Sequence, residues 1–141
     1  MRIQFSVIGE PHGKQRPRYT RQGRCYTPSE TVAYEKRIRS AFLWHIPEEA
    51  HTPLMTGPVR IQIMAAYQIP KSASAKQKQV LEGTTATKKP DLDNVIKIVM
   101  DGLNKVAYED DKQVVEIDAR KIWSICPGLL ITVEDYEETK Q

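Results

Sequence analysis

Apolar positions recur along this chain at two spacings, and the switches between them divide it into strands and helices. From Arg2 to Gly9, Ile3, Phe5 and Val7 alternate with Arg2, Gln4 and Ser6, the period of a half-buried strand. Residues 10–27 lose this pattern, are rich in Gly, Pro, Arg and Thr, and read as a long loop. Thr27-Pro28-Ser29-Glu30 then predicts a helix start, with Thr27 as the cap, Pro28 in the first helical position and Glu30 completing a capping box. Val32, Ala33, Ile38, Ala41, Phe42 and Trp44 carry that helix to about His45, before Pro47. After Pro58, Val59, Ile61, Ile63 and Ala65 alternate with Arg60, Gln62 and Met64 in a strand reaching Ile69. Residues 72–82 predict a short polar helix capped by Ser72 or Ser74, and Gly83–Lys89 a mobile link.

The strongest amphipathic stretch follows. Leu92, Val95, Ile96, Val99, Leu103 and Val106 keep the i, i+3, i+4, i+7 rule and predict a helix of about 92–105. Tyr108 to Lys112 reads as a charged turn. Two strands complete the chain, at 113–123, with Val115, Ile117 and Ala119 on one face, and at 129–134. Cys126-Pro127-Gly128 turns between them and suggests a hairpin, while 134–141 reads as a frayed acidic tail. Strands separated by helices predict a single α+β domain, a small mixed sheet packed against two main helices. Phe42, Trp44 and Trp123 are expected in its core.

Composition narrows the class. With 141 residues, 40% hydrophobic and 28% charged, the chain suits one domain with its own core. It has no run near the roughly 20 apolar residues of a membrane span. Its first residues lack the length of a signal-peptide apolar region, so a cytoplasmic location is expected. Cys25 and Cys126 form no CxxC pair and read as reduced thiols. His12, His45 and His51 are too scattered for a zinc pattern, and no organic cofactor is expected.

Charge changes the picture more, because the net of +3 hides segregation. Residues 1–40 hold nine Lys/Arg against three acids, and residues 91–118 hold eight acids against three lysines. A basic arm beside an acidic centre suggests a polyanion held near a cation.

The acidic centre is KPDLDN (89–94), then Lys97, then EDD (109–111). Carboxylates in this number, without nearby His or Cys, suit a hard cation such as Mg²⁺ or Mn²⁺. Within a helix, Asp91 and Asp93 would point roughly 200° apart. An extended Asp91 ahead of the first turn brings its carboxylate toward that of Asp93, although Asp91 taken alone is equally well a helix cap. Asp93 and Lys97 share a helix face, and Lys97 alone reads as an ordinary surface partner. Asp110 and Asp111 reach that face only if the chain folds back. Neither an EF-hand loop, which needs Gly at the position of Ile96, nor an aspartyl phosphotransfer motif fits as well.

The run DLDNVIKIVMDGLNKVAYEDDKQV (91–114) resembles the signature of the RusA family of Holliday-junction resolvases of bacteria and their phages. Upstream, GEPHGKQRPR (9–18) is similar to that family's N-terminal element, in the expected order and separation. The resemblance implies a Mg²⁺-dependent homodimer that makes symmetric cuts in four-way junction DNA during recombination and repair, with Mn²⁺ as a possible substitute. It implies Asp91, Asp93 and Asp111 as metal-binding catalytic carboxylates, Asp110 as a neighbour that competes with Asp111 for third ligand, Lys97 as the essential lysine, and Asn94 as a motif residue.

On that reading Lys97 acts electrostatically, on the scissile phosphate or on developing charge. Lys14, Arg16, Arg18, Arg21 and Arg24, interleaved with Tyr19 and Tyr26, suit backbone phosphates, and Lys36 and Arg37 extend the patch. Lys88 and Lys89 are placed to guide a strand toward the carboxylates. Two other readings stand beside this one: a junction-binding protein with a decayed nuclease, and a metal-dependent enzyme acting on nucleotides. The intact acidic set disfavours the first and the basic arm the second.

Overall fold

The structure is a computed structural model that describes residues 1–138. Strand β1 (Arg2–Ile8) leads through the arginine-rich loop, which folds into a two-stranded ribbon of β2 (Arg18–Tyr19) and β3 (Cys25–Tyr26), to helix α1 (Ser29–Trp44). Then come β4 (Val59–Gln68), α2 (Ala75–Leu81), α3 (Leu92–Leu103), a single 3-10 turn at Asp111–Gln113, β5 (Val114–Ser124) and β6 (Gly128–Asp135). The main sheet has the order β1-β6-β4-β5, with β4 and β5 parallel and the other pairs antiparallel. This is the expected mixed α+β sheet with two main helices on it.

The expected terminal hairpin does not form, because β4 lies between β5 and β6 and hydrogen-bonds to both. With every odd residue from Val59 to Tyr67 buried, β4 has the most apolar strand face in the sheet and takes a central position. In β5 the predicted face breaks at its start. The register advances from Val59↔Val114 to Arg60↔Glu116, so Val115 is an extra residue and points to solvent, 56% exposed. The strand-like tail also extends further than expected. Glu134 and Asp135 pair with β1 and β4, and Tyr136 donates to the Pro58 carbonyl; only 139–141 of the supposed frayed end lie outside the described residues.

Helix α1 begins one residue later than predicted. Pro28, not Thr27, is the cap residue, with φ −53° and ψ 142°; no side chain caps the helix, so the Thr27–Glu30 box is absent. Its buried face is Thr31, Tyr34, Ile38 and Phe42, while Trp44 is 87% exposed at the last turn. Val32 and Trp44 fall outside the stripe that Tyr34, Ile38 and Phe42 set at helical spacing, and apolar character alone does not bury them. Phe42 meets Phe5 of β1 edge to face at 5.8 Å. Helix α2 is capped by Ser74 through a reciprocal box with Gln77. The link expected to be mobile is pinned to the end of β5: Gly83 and Ala86 donate to the Trp123 and Lys121 carbonyls, and Trp123 donates to that of Thr84. It thereby covers part of a sheet edge that would otherwise be open.

Candidate active site

The two motifs meet at one joint. A Cβ on Gly13 would stand 2.7 Å from Pro90 Cβ and 2.9 Å from Asn94 Cβ, so only a glycine lets the loop come this close to the start of α3. The Lys14 backbone N–H donates to the Asn94 carbonyl at 2.8 Å. From below, the buried Tyr67 of β4 donates its hydroxyl to the Pro90 carbonyl at 2.8 Å, fixing the chain just before Asp91. Burial pushes the Tyr67 phenol well above its ordinary range, and the Glu10, Tyr34 and Asp91 charges add to this.

Asp91 occupies the cap position of α3 in extended conformation, φ −66° and ψ 152°, yet its side chain makes no capping hydrogen bond. Its carboxylate is thus left for another partner, unlike that of an ordinary aspartate cap. Asp91 and Asp93 are both exposed and line one groove with Arg16 and Arg18. Asp91 also borders an adjoining cleft edged by His12, Lys88 and Lys89.

Asp111 comes to the same helix by a fold-back. After α3 the chain turns through Lys105 at φ 72°, and the buried Tyr108 donates its hydroxyl to the Met100 carbonyl at 2.7 Å. Burial raises the Tyr108 phenol, and the charges of Asp111, Asp101 and Asp110 raise it further. Gln113 then clamps the turn. Its Oε1 accepts from the Glu109 and Asp110 N–H groups at 2.9 and 3.2 Å, and its Nε2 donates to the Met55 and Gly57 carbonyls at 3.1 and 3.0 Å.

The result is a row of alternating charge. Lys97 Nζ lies 3.2 Å from Asp101 Oδ1 and 3.7 Å from Asp111 Oδ2. Asp101 Oδ2 lies 3.0 Å from Lys14 Nζ, which in turn is 2.5 Å from Glu35 Oε1 on α1. Burial pulls the Lys14 ammonium downward in pKa, but the hydrogen bonds it donates to Glu35 and Asp101 outweigh this and hold it above its ordinary value. Asp110 is differently employed: its Oδ1 accepts from the Lys112 N–H at 2.9 Å and caps the 3-10 turn. That backbone bond holds its carboxyl below the usual range.

The structure therefore sorts the basic residues that the sequence groups together. Arg16, Arg18, Arg21 and Arg24 are exposed, with Tyr19 72% exposed on the ribbon beside them. Lys14 instead faces inward, and Lys88 pairs with Glu10 at 2.9 Å while Lys89 is exposed. Among the described residues no three acidic, His or Cys side chains stand close enough to form a ready cation cage. The donors are all oxygens, and a pair such as Asp91 and Asp93 suits a hard cation whose shell is completed by water and phosphate oxygen. Sequence reasoning missed Glu35, Asp101 and Gln113. Asp101 had a signal, since it falls four residues after Lys97 as Lys97 does after Asp93, and so had Gln113, three residues after Asp110 at the spacing of a capping box; Glu35 had none, because Lys14 is distant from it in the chain.

Comparison with known proteins identifies the family. The family model for endodeoxyribonuclease RusA matches residues 9–134, spanning both motifs. The uncharacterized protein YqaN of Bacillus subtilis (strain 168) is 31% identical over 140 residues, covering 94% of this chain and 96% of its own. The motifs that meet at Gly13 and Asn94 thus both fall within one family match, and the chain belongs to the RusA family of endodeoxyribonucleases, the Holliday-junction resolvases.

Proposed function

We propose that this chain is a Mg²⁺-dependent nuclease that resolves four-way DNA junctions in recombination and repair, acting as a homodimer. The observation that carries this is the groove in which Arg16 and Arg18 stand with the carboxylates of Asp91 and Asp93. Cations that hold a phosphodiester and acids that hold a divalent ion are needed within one phosphate of each other, and this groove supplies both.

Asp91 and Asp93 would hold the ion, with Asp111 drawn in as the third carboxylate, and Mn²⁺ is an acceptable substitute by donor chemistry. When bound, the ion supplies Lewis-acid stabilisation of charge on the phosphoryl group. Lys97 adds a fixed positive charge on the same helix face, where it stabilises the pentacovalent transition state. Asp110 serves the turn through its capping bond, which favours Asp111 over it as ligand. Arg16, Arg18, Arg21 and Arg24 anchor the backbone without reading sequence, and Lys89 guides the strand at the neighbouring cleft. Two identical sites related by a dyad cut opposing strands, which is what a ligatable resolution requires.

The test is incubation with a synthetic four-way junction and a matched linear duplex, with and without Mg²⁺. Paired nicks in the junction alone, dependent on Mg²⁺, are expected. Asp91→Asn should bind the junction and leave it uncut; normal cutting by that variant removes Asp91 from the mechanism.

A further inference from the structure

We propose that Asp101 is a positioning residue for the Lys97 ammonium, and that the Lys14–Glu35 pair behind it holds its carboxylate in place. The inference rests on the nuclease reading and adds to it a residue inside the second motif, between Lys97 and the acidic turn. A lysine and an aspartate four apart on a helix ordinarily make a weak, solvated pair. Here the aspartate is not ordinary. Its side chain is 16% exposed, and each oxygen has its own cation, Lys97 at 3.2 Å and Lys14 at 3.0 Å.

Lys14 cannot swing away without leaving Glu35, and Glu35 is fixed by the packing of α1 on α3. At that packing point a Cβ on Gly102 would already stand 3.2 Å from the Glu35 carbonyl. The row thus anchors Lys97 to three parts of the fold, the N-terminal loop, α1 and α3. Lys97 needs such an anchor because its side chain is 53% exposed and has four flexible torsions. Asp111, at 3.7 Å, is the more distant of its two partners and is itself assigned to the ion. Without the Asp101 charge, Lys14 and Lys97 would also face each other with no anion between them. The arrangement gives Lys14 a task apart from phosphate binding, although it lies within the basic arm.

The test combines single-turnover junction cleavage, junction affinity without metal, and the side-chain ammonium signal of Lys97 in ¹⁵N-labelled, metal-free protein. Asp101→Asn should slow cleavage by about tenfold to a hundredfold, the size of a misplaced active-site group, with affinity unchanged. It should also shift or broaden the Lys97 ammonium signal, assigned by its loss in Lys97→Met. In the Lys97→Met background, Asp101→Asn should have no further effect on the residual rate. Lys14→Met should act in the same direction, more weakly, and be equally silent in that background; it carries the test if Asp101→Asn does not fold. Independent, multiplying losses, or a Lys97 signal indifferent to Asp101→Asn, overturn the proposal. A wild-type protein that cuts no junction sinks the nuclease reading instead, while the ammonium signal still reports on the geometry by itself.

Discussion

Gly102 of α3 faces Ile38 of α1 so closely that a Cβ on the glycine would stand 3.0 Å from both the Cβ and the Cγ2 of the isoleucine. This contact sets the distance between the two helices, and it does so one residue from Asp101 and one helical turn from Glu35. A branched side chain at that point forces the helices apart. Gly102→Val should cost roughly 3 kcal/mol through overpacking, visible as a lower midpoint in denaturant. Gly102→Ala should cost less, because its gain in helix propensity of about 1 kcal/mol offsets part of the strain. A valine variant as stable as the parent would show that the helices are not in this contact.

Gln113 ties the 109–111 turn to the segment before β4 through four hydrogen bonds to backbone groups. Gln113→Ala should destabilise the protein by about 2 kcal/mol, since each such bond contributes about 1 kcal/mol and the site is partly open to solvent. Amide exchange at Glu109 and Asp110 should quicken, because both N–H groups lose their acceptor. Unchanged protection at those two amides would contradict the clamp.

Tyr34 is 2% exposed, stacks on His12 with ring centroids 4.6 Å apart, and its hydroxyl meets no partner in hydrogen-bond geometry. Removing an unsatisfied buried hydroxyl relieves a desolvation cost, so Tyr34→Phe should stabilise the protein by about 1 kcal/mol. Thermal unfolding checks this, and a clear loss of stability would mean that the hydroxyl has a partner.

The same residue predicts an alkaline transition. Burial pushes the Tyr34 phenol from 10.0 up to about 12, against the opposing pull of the Arg37 cation. Its folded pKa is raised, so the unfolded chain loses the proton first. The stability it contributes is full below pH 10 and is lost as pH rises from 10 toward 12. Tyr34→Phe should therefore flatten the fall in stability across that window, measured by denaturant titration at successive pH values.

Salt dependence should separate the two kinds of cation in the N-terminal arm. Arg18 is exposed and lines the groove with Asp91 and Asp93. Arg18→Gln should reduce the slope of log affinity against log salt for junction DNA by about 1, the signature of one lost phosphate contact. Lys14→Gln should leave that slope unchanged, because its ammonium already faces Glu35 and Asp101. A reduced slope for Lys14→Gln would return it to the phosphate-binding set.

Local chemistry was legible in the chain wherever cause and effect lie within a few residues. The alternation of β4, the amphipathic α3 with Asp91 at its mouth, and the separation of basic arm from acidic centre all follow from spacing. What spacing could not give was any relationship decided by a partner far away. The terminal strands look like a hairpin until β4, with the better apolar face, takes the place between them. Val115 looks buried until a bulge turns it outward, and Trp44 looks like core until Tyr34, Ile38 and Phe42 set the helix face. Lys14 shows the division most clearly. Its sequence neighbours make it one more basic residue of the arm, but Gly13 packing on Pro90 and Asn94 turns it inward, where Glu35 and Asp101 arrive from two helices. Charge and periodicity are properties of a segment and can be read there; which charge meets which is a property of packing, and only the folded chain decides it.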